Sequence, residues 1–168
     1  MNALLRKGVG CRQAMHLKLA IIYHAPSDNV RRIVDALVDG ASDPAIESVD
    51  VRPAQALAAG PAELIEADGV IFATTENFGY MSGALKDFFD RSFYPCLDKV
   101  DAKPYALLVK AGNDGTGTVD AVTRIVSGLK LKQVAEPLLM VGGFQENWLE
   151  QCRELGMTLA AGLEAGIF

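Results

Sequence analysis

The chain has 168 residues, of which 50% are hydrophobic and 22% charged, and its formal net charge is −5. This length suits one domain with a substantial core, and the apolar content argues against a disordered chain. The negative charge, without a basic stripe interleaved with aromatic residues, argues against nucleic acid as a partner. No apolar run is long enough to span a bilayer, so no membrane partner is expected.

The cysteine and histidine content is low. Cys11, Cys96 and Cys152 are widely spaced and form no paired motif. They predict reduced thiols in a cytoplasmic protein rather than a disulfide set or a zinc site. With two histidines and no carboxylate cluster at ligand spacing, no metal site is expected.

The N-terminal segment differs from the rest of the chain. Residues 1–16 carry basic residues around a short apolar patch that is too weakly apolar for a secretory signal. We therefore predict a mobile extension over residues 1–16 and a single domain over residues 17–168. A translation start at Met15 rather than Met1 is an open alternative.

From residue 17 onward, apolar runs alternate with stretches of helical spacing. Strands are predicted at 17–23, at 46–51, from Gly69, at 105–110 and at 137–141. Helices are predicted at 30–41, after Gly83, at 119–129 and at 146–163, with two short helical pieces between Pro53 and Ala67. Such alternation requires parallel strands joined by right-handed crossovers, with helices on both faces of the sheet.

The predicted fold is therefore an α/β three-layer sandwich around a five-stranded parallel sheet. Buried first, third and fourth strands, with a half-polar second strand, favour the strand order 2-1-3-4-5. In this order the loops after strands one, three and four converge at one rim of the sheet. Open α/β sheets bind their ligands at such a rim.

The segment Thr75–Arg91 is the most informative part of the chain. A polar loop with two aromatic residues follows the buried third strand, and a helix then begins with Leu85, Phe88 and Phe89 on one face. Backbone amides and aromatic rings in one loop suit a flat aromatic ligand. The alternative is an ordinary connecting loop with an aromatic side chain packed on the core.

This segment reads aromatic-Gly-x-Met-Ser, then Leu-Lys-x-Phe-x-Asp-Arg, and in this it resembles the flavodoxin-like superfamily. It looks closest to NAD(P)H-dependent FMN reductases and flavodoxin-related quinone reductases. The resemblance implies a flavodoxin-like fold and a loop that wraps the isoalloxazine ring of FMN. The implied ring contacts are Thr75, Glu76, Asn77, Phe78, Gly79, Tyr80 and Met81, with Gly112 and Asn113 on the other side of the ring.

The phosphate loop departs from the pattern of the family. Positions 25–30 correspond to a motif rich in hydroxyl groups, but Pro26 lacks an amide proton and Asp28 adds a carboxylate. The candidate phosphate contacts are Ser27, Asp28, Asn29 and Val30, through side chains and helix amides. Arg31 or Arg32 would offset the acid. Alternatively, Asp28 caps the helix and uses donors that a phosphate would need.

The resemblance implies an FMN-binding oxidoreductase that takes electrons from NAD(P)H and reduces a quinone or another small-molecule acceptor. No catalytic side chain is predicted, because the cofactor would carry the redox chemistry. Two alternatives stay open: a flavodoxin-type electron carrier, and a flavodoxin-like scaffold that has lost FMN. Relatives of this type also imply a homodimer or homotetramer.

Overall fold

The computed structural model describes residues 16–168. Strands and helices alternate along this part of the chain. The elements are β1 Leu17–Tyr23, α1 Asp28–Ala41, β2 Val49–Gln55, α2 Pro61–Glu66, β3 Gly69–Asn77, β4 Tyr80–Met81, α3 Gly83–Cys96, β5 Pro104–Ala111, α4 Thr116–Gly128, β6 Lys132–Gln133, β7 Leu138–Val141 and α5 Trp148–Glu164. Apart from His16, the predicted N-terminal extension lies outside the described residues.

The parallel sheet has the order β2-β1-β3-β5, and both β6 and β7 lie beside β5. β6 pairs with the start of β5 and β7 pairs with its end, so together they form one interrupted fifth strand. The predicted α/β fold and strand order 2-1-3-4-5 are therefore confirmed. The two-residue strand β4 is an addition that pairs antiparallel with the end of β3.

Two apolar clusters sandwich the sheet. Alternate residues of each central strand face opposite sides: Leu19 and Ile21 of β1 join the cluster under α1 and α5, whereas Ala20 and Ile22 join the other. On that second side, Phe72 of β3 packs against aromatic residues of α3 with ring centroids 5.1 Å and 6.2 Å away. This packing fixes α3, and with it the loop that precedes α3.

The helices α1 and α5 pack closely because glycine residues line their contact. A Cβ atom at Gly156 would lie 2.1 Å from the carbonyl oxygen of Leu37, and one at Gly40 would lie 2.0 Å from that of Arg153. Neither position therefore accepts a side chain without separating the helices. This contact positions the start of α1 relative to the sheet.

Two predicted boundaries are wrong around the second strand. β2 runs from Val49 to Gln55, not from 46 to 51, and a single helix, α2, occupies the stretch that was predicted as two helical pieces. Pro53 lies within β2, which is an edge strand. Because no strand lies on the outer side of β2, the amide proton that Pro53 lacks is not needed there for a hydrogen bond of the sheet. Among residues 16–168, no helix combines the length and hydropathy needed to cross a membrane.

Candidate functional site

A cleft of about 370 Å³ opens at the rim where β1, β3 and β5 end, within the size range of small-molecule sites, which is roughly 300–1,000 Å³. The first turn of α1, the end of β3 and the loops after β5 and β7 form its walls. Predicted site residues that line it are Ser27, Asn29, Val30, Thr75, Glu76, Asn77 and Gly112. The fold thus brings three separate predicted loops to one cleft, as the strand order requires.

The other predicted site residues lie around this cleft rather than in its wall. Met81, in β4, is buried, and Asp28 is exposed in the first turn of α1. Asn113 follows Gly112 on an exposed loop. Phe78, Gly79 and Tyr80 extend β3 beyond the cleft as a hairpin.

This hairpin is a tight turn with an unusual central residue. Phe78 (φ 55°) and Gly79 (φ 73°) connect Asn77 to Tyr80. Two positive φ angles at the centre of a two-residue loop define a type I′ turn, which favours Asn-Gly. A bulky residue in this conformation costs roughly 1–2 kcal/mol, yet the Phe78 side chain has a relative exposure of 108% and gains no burial in return. Such uncompensated strain suggests a function.

Buried hydroxyl groups hold the base of the hairpin. The hydroxyl oxygens of Thr74 and Ser82 lie 3.0 Å apart, and the Ser82 amide donates to Thr74 Oγ1 at 3.3 Å. Ser82 is also the N-cap of α3, because its Oγ accepts the Leu85 amide at 3.3 Å. Both hydroxyl-bearing residues are buried. The network therefore joins the end of β3 to the start of α3.

A close backbone contact holds the tip of the hairpin. A Cβ atom at Gly117, in the first turn of α4, would lie 2.4 Å from the carbonyl oxygen of Gly79. Only glycine allows this approach. The hairpin is thus positioned by α3 at its base and by α4 at its tip.

The candidate phosphate loop is capped by Ser27. Its backbone is extended (φ −141°), and its Oγ accepts the Val30 amide at 3.5 Å. The interpretation of Asp28 as the N-cap is therefore wrong; Asp28 is the first helical residue. The amides of Asp28 and Asn29, in the first turn of α1, have no intrahelical partner by geometry and are available to an anion.

Neither arginine behind this loop forms an ion pair with Asp28. Arg31 donates to the Tyr23 hydroxyl at 2.9 Å, with its guanidinium 5.3 Å from the centre of that ring. Arg32 forms an ion pair with Glu146 at 2.7 Å and lies over Phe144. Both guanidinium groups are thus held by partners other than Asp28, so neither compensates its charge through a direct ion pair.

The residues present suit a flat ligand with an anionic end. A Cβ atom at Gly112, Gly142 or Gly143 would meet no atom within 4 Å, so this side of the cleft is open. On the opposite wall, Thr75 Oγ1 donates to Asn77 Oδ1 at 3.0 Å and thereby orients the Asn77 amide. FMN is a group that these features fit.

One residue of the cleft was missed by sequence reasoning. Lys110, near the end of β5, lines the cleft, and its Nζ donates to the carbonyl oxygens of Ala111 at 2.8 Å and Gly142 at 2.7 Å. Burial lowers the pKa of this amine. The sequence feature that could have identified Lys110 is that it is a single charged residue at the end of an otherwise apolar strand. Among residues 16–168, no three His, Cys, Asp or Glu side chains are grouped to hold a metal ion.

The fold and its cleft define the flavodoxin-like class of α/β proteins. The structure is similar to that of a flavodoxin from the domain Archaea, with a TM-score of 0.72 and 17% identity over 88% of this chain and 99% of that chain. It is also similar to a flavodoxin, WrbA-like protein from Agrobacterium tumefaciens, with a TM-score of 0.71 and 17% identity over 89% and 98% of the two chains. At these identities the likeness establishes the fold alone.

Sequence comparison identifies the family. Residues 31–146, more than half of the chain, match the model of NADPH-dependent FMN reductases, and the chain belongs to that family. It is also 31% identical over 93 residues to the NAD(P)H dehydrogenase (quinone) of Acidithiobacillus ferrooxidans, covering 45% of this chain and 46% of that protein. The match thus spans about half the length of this curated relative. The resemblance seen in Thr75–Arg91 is confirmed.

Proposed function

We propose that this protein is an FMN-dependent oxidoreductase that accepts electrons from NAD(P)H and reduces a quinone or another small acceptor. The observation that carries the proposal is the cleft at the sheet rim, where the three loops expected to contact FMN meet. Membership of the FMN reductase family and the similarity to a quinone-reducing NAD(P)H dehydrogenase support it.

The residues divide into two ends of the cleft. Ser27, Asn29 and the first amides of α1 would bind the phosphate, since a helix N-terminus favours an anion. The backbone at 75–77 and at Gly112 would hold the ring, with Phe78 and Tyr80 beside it. When bound, FMN supplies the electron transfer, so the protein needs to orient and shield the ring rather than provide a general acid.

Binding and reduction are tested separately. The purified protein is expected to carry a flavin absorbance spectrum, or to acquire it on titration with FMN, and the bound flavin is expected to bleach when NADH or NADPH is added without oxygen. A protein that never binds FMN would refute the proposal and support the scaffold alternative. A protein that binds FMN but is not reduced by either nucleotide would be an electron carrier instead.

We also propose a cytoplasmic homodimer or homotetramer. The support is apolar surface: the Tyr94 side chain is 80% exposed on α3, and the Leu57 side chain is 65% exposed after β2. Light scattering at micromolar concentration tests the assembly. A monomeric mass that persists with FMN bound would refute it.

A further inference from the structure

Lys110 lies in the wall of the cleft, and it differs from the surface lysines that form ion pairs. Lys18, Lys86 and Lys130 each form ion pairs at the surface. The ammonium group of Lys110 makes no ion pair within residues 16–168, and Glu76, which lines the same cleft, is not bonded to it. The Nζ atom of Lys110 also lies 5.6 Å from the centre of the Trp148 ring, which attracts a cation but carries no net charge. A cation without a carboxylate partner in a partly desolvated cleft favours the binding of negative charge.

Two backbone hydrogen bonds and one aromatic contact hold the ammonium group of Lys110. An ammonium group has three donors, and two of them satisfy the carbonyl oxygens of Ala111 and Gly142. Lys103 provides a contrast: its Nζ donates to the carbonyl oxygens of Leu64 and Ile65 in the last turn of α2, where a cation stabilises a helix end. Lys110 binds no helix end, and within residues 16–168 its third donor has no oxygen acceptor beside the Trp148 ring.

Strand order places Lys110 at the ring end of the cleft. It pairs with Thr75 of β3, from which the ring loop leads directly onward. β1, whose loop carries the candidate phosphate contacts, is two strands away, or about 10 Å at the usual strand spacing. The Nζ atom also reaches towards Gly142, after β7, on the side away from β1.

We propose that Lys110 stabilises the negative charge that the cofactor ring acquires on reduction, and thereby raises its reduction potential. This inference rests on the proposed function. A hydride from NAD(P)H brings two electrons and one proton, so the nicotinamide is oxidised and one negative charge remains with the ring until water supplies a second proton. The ammonium group of Lys110 offsets that charge without transferring a proton itself.

The expected change in reduction potential depends on the distance between the ammonium group and the ring. At an effective dielectric of about 20, a unit charge about 8 Å from the ring changes the preference for the reduced over the oxidised ring roughly tenfold to thirtyfold. Partial exposure of the amine favours the lower value. A tenfold change corresponds to about 30 mV for a two-electron couple.

The test is the midpoint potential of bound FMN in the full-length protein. Lys110→Gln keeps a donor for the carbonyl oxygens and removes the charge, whereas Lys110→Arg keeps the charge. Lys132→Gln is the matched control, because Lys132 pairs with the opposite end of β5, about 20 Å away. We expect a potential about 30 mV more negative in K110Q, and values equal to the unaltered protein in K110R and K132Q.

Each other outcome overturns the inference. An unchanged potential in K110Q with FMN bound would refute it while leaving the proposed function intact. Weaker FMN binding with unchanged riboflavin binding in K110Q would place the charge at the phosphate and also refute it. If K110Q does not fold, Lys110→Met supplies a second neutral variant for the same measurement. Failure of the unaltered protein to bind FMN would refute both proposals.

Discussion

Replacing Phe78 by Asn should make the protein more stable and a weaker binder of FMN. Phe78 occupies the first central position of a type I′ turn at φ 55°, where Asn is favoured, and its exposed side chain has no buried contact to lose. Relief of a strain of roughly 1–2 kcal/mol should raise Tm by about 2–8 °C in a domain of this size. Loss of an aromatic contact worth about 0.5–1.5 kcal/mol should weaken FMN binding roughly 2- to 12-fold.

Thermal unfolding of the apoprotein and fluorescence titration with FMN measure the two effects. Phe78→Ala is the matched control: it removes the ring but keeps a Cβ residue at positive φ, so it should lose affinity without gaining stability. A Phe78→Asn variant that binds FMN as tightly as the unaltered protein would show that Phe78 does not contact the ring. A variant with an unchanged Tm would show that the turn is not strained.

Two further substitutions test how the site is held, and the reactivity of one buried thiol tests the core. Gly117→Ala places a methyl group against the Gly79 carbonyl, so it should lower both Tm and FMN affinity despite its better helix propensity; Gly83→Ala, which has open space, should lower neither. Ser82→Ala removes an N-cap and a buried hydrogen bond with the Thr74 hydroxyl, which should cost about 1–2 kcal/mol of unfolding free energy in urea denaturation; an unchanged midpoint would contradict this. Burial raises the pKa of Cys152 to about 12. At pH 8 only about one thiol in 10⁴ would then be ionised, so labelling of its peptide by iodoacetamide should require denaturant.

The fold was largely predictable because its signals are repetitive. β1 has the predicted bounds, Leu17–Tyr23, since a continuous apolar run ends in turn-forming residues. The strand order followed from which strands are buried on both faces. The edge strand was harder to predict. β2 contains Pro53, which sequence rules treat as a strand breaker although an edge strand tolerates it.

Within the site, the loops were predictable but their conformations were not. The hairpin at Phe78-Gly79 lacks the Asn-Gly signal of a type I′ turn, so the segment was predicted as an irregular loop. At the start of α1, Ser27 and Asp28 are both good N-caps, and only the backbone geometry shows that Ser27 takes this role.

Lys110 shows a different limit of sequence reasoning. Its position in β5 is evident from the sequence, but its relation to the cleft depends on the loop after β7, whose Gly142 carbonyl oxygen accepts a hydrogen bond from its ammonium group. Sequence patterns do not identify such a tertiary contact. The unpaired charge is visible only after the strands are assembled.

The central claim is that FMN binds in the cleft at the sheet rim. Titration of FMN into the unaltered apoprotein and into a variant whose cleft is filled by a side chain tests this claim most directly. Gly112→Leu places a side chain in open space within the cleft, whereas Gly83→Leu does so outside it. We expect saturable one-to-one binding to the unaltered protein and to G83L, and loss of binding to a folded G112L. Equal binding to all three proteins would show that FMN lies elsewhere, and no binding to any of them would contradict the proposed function.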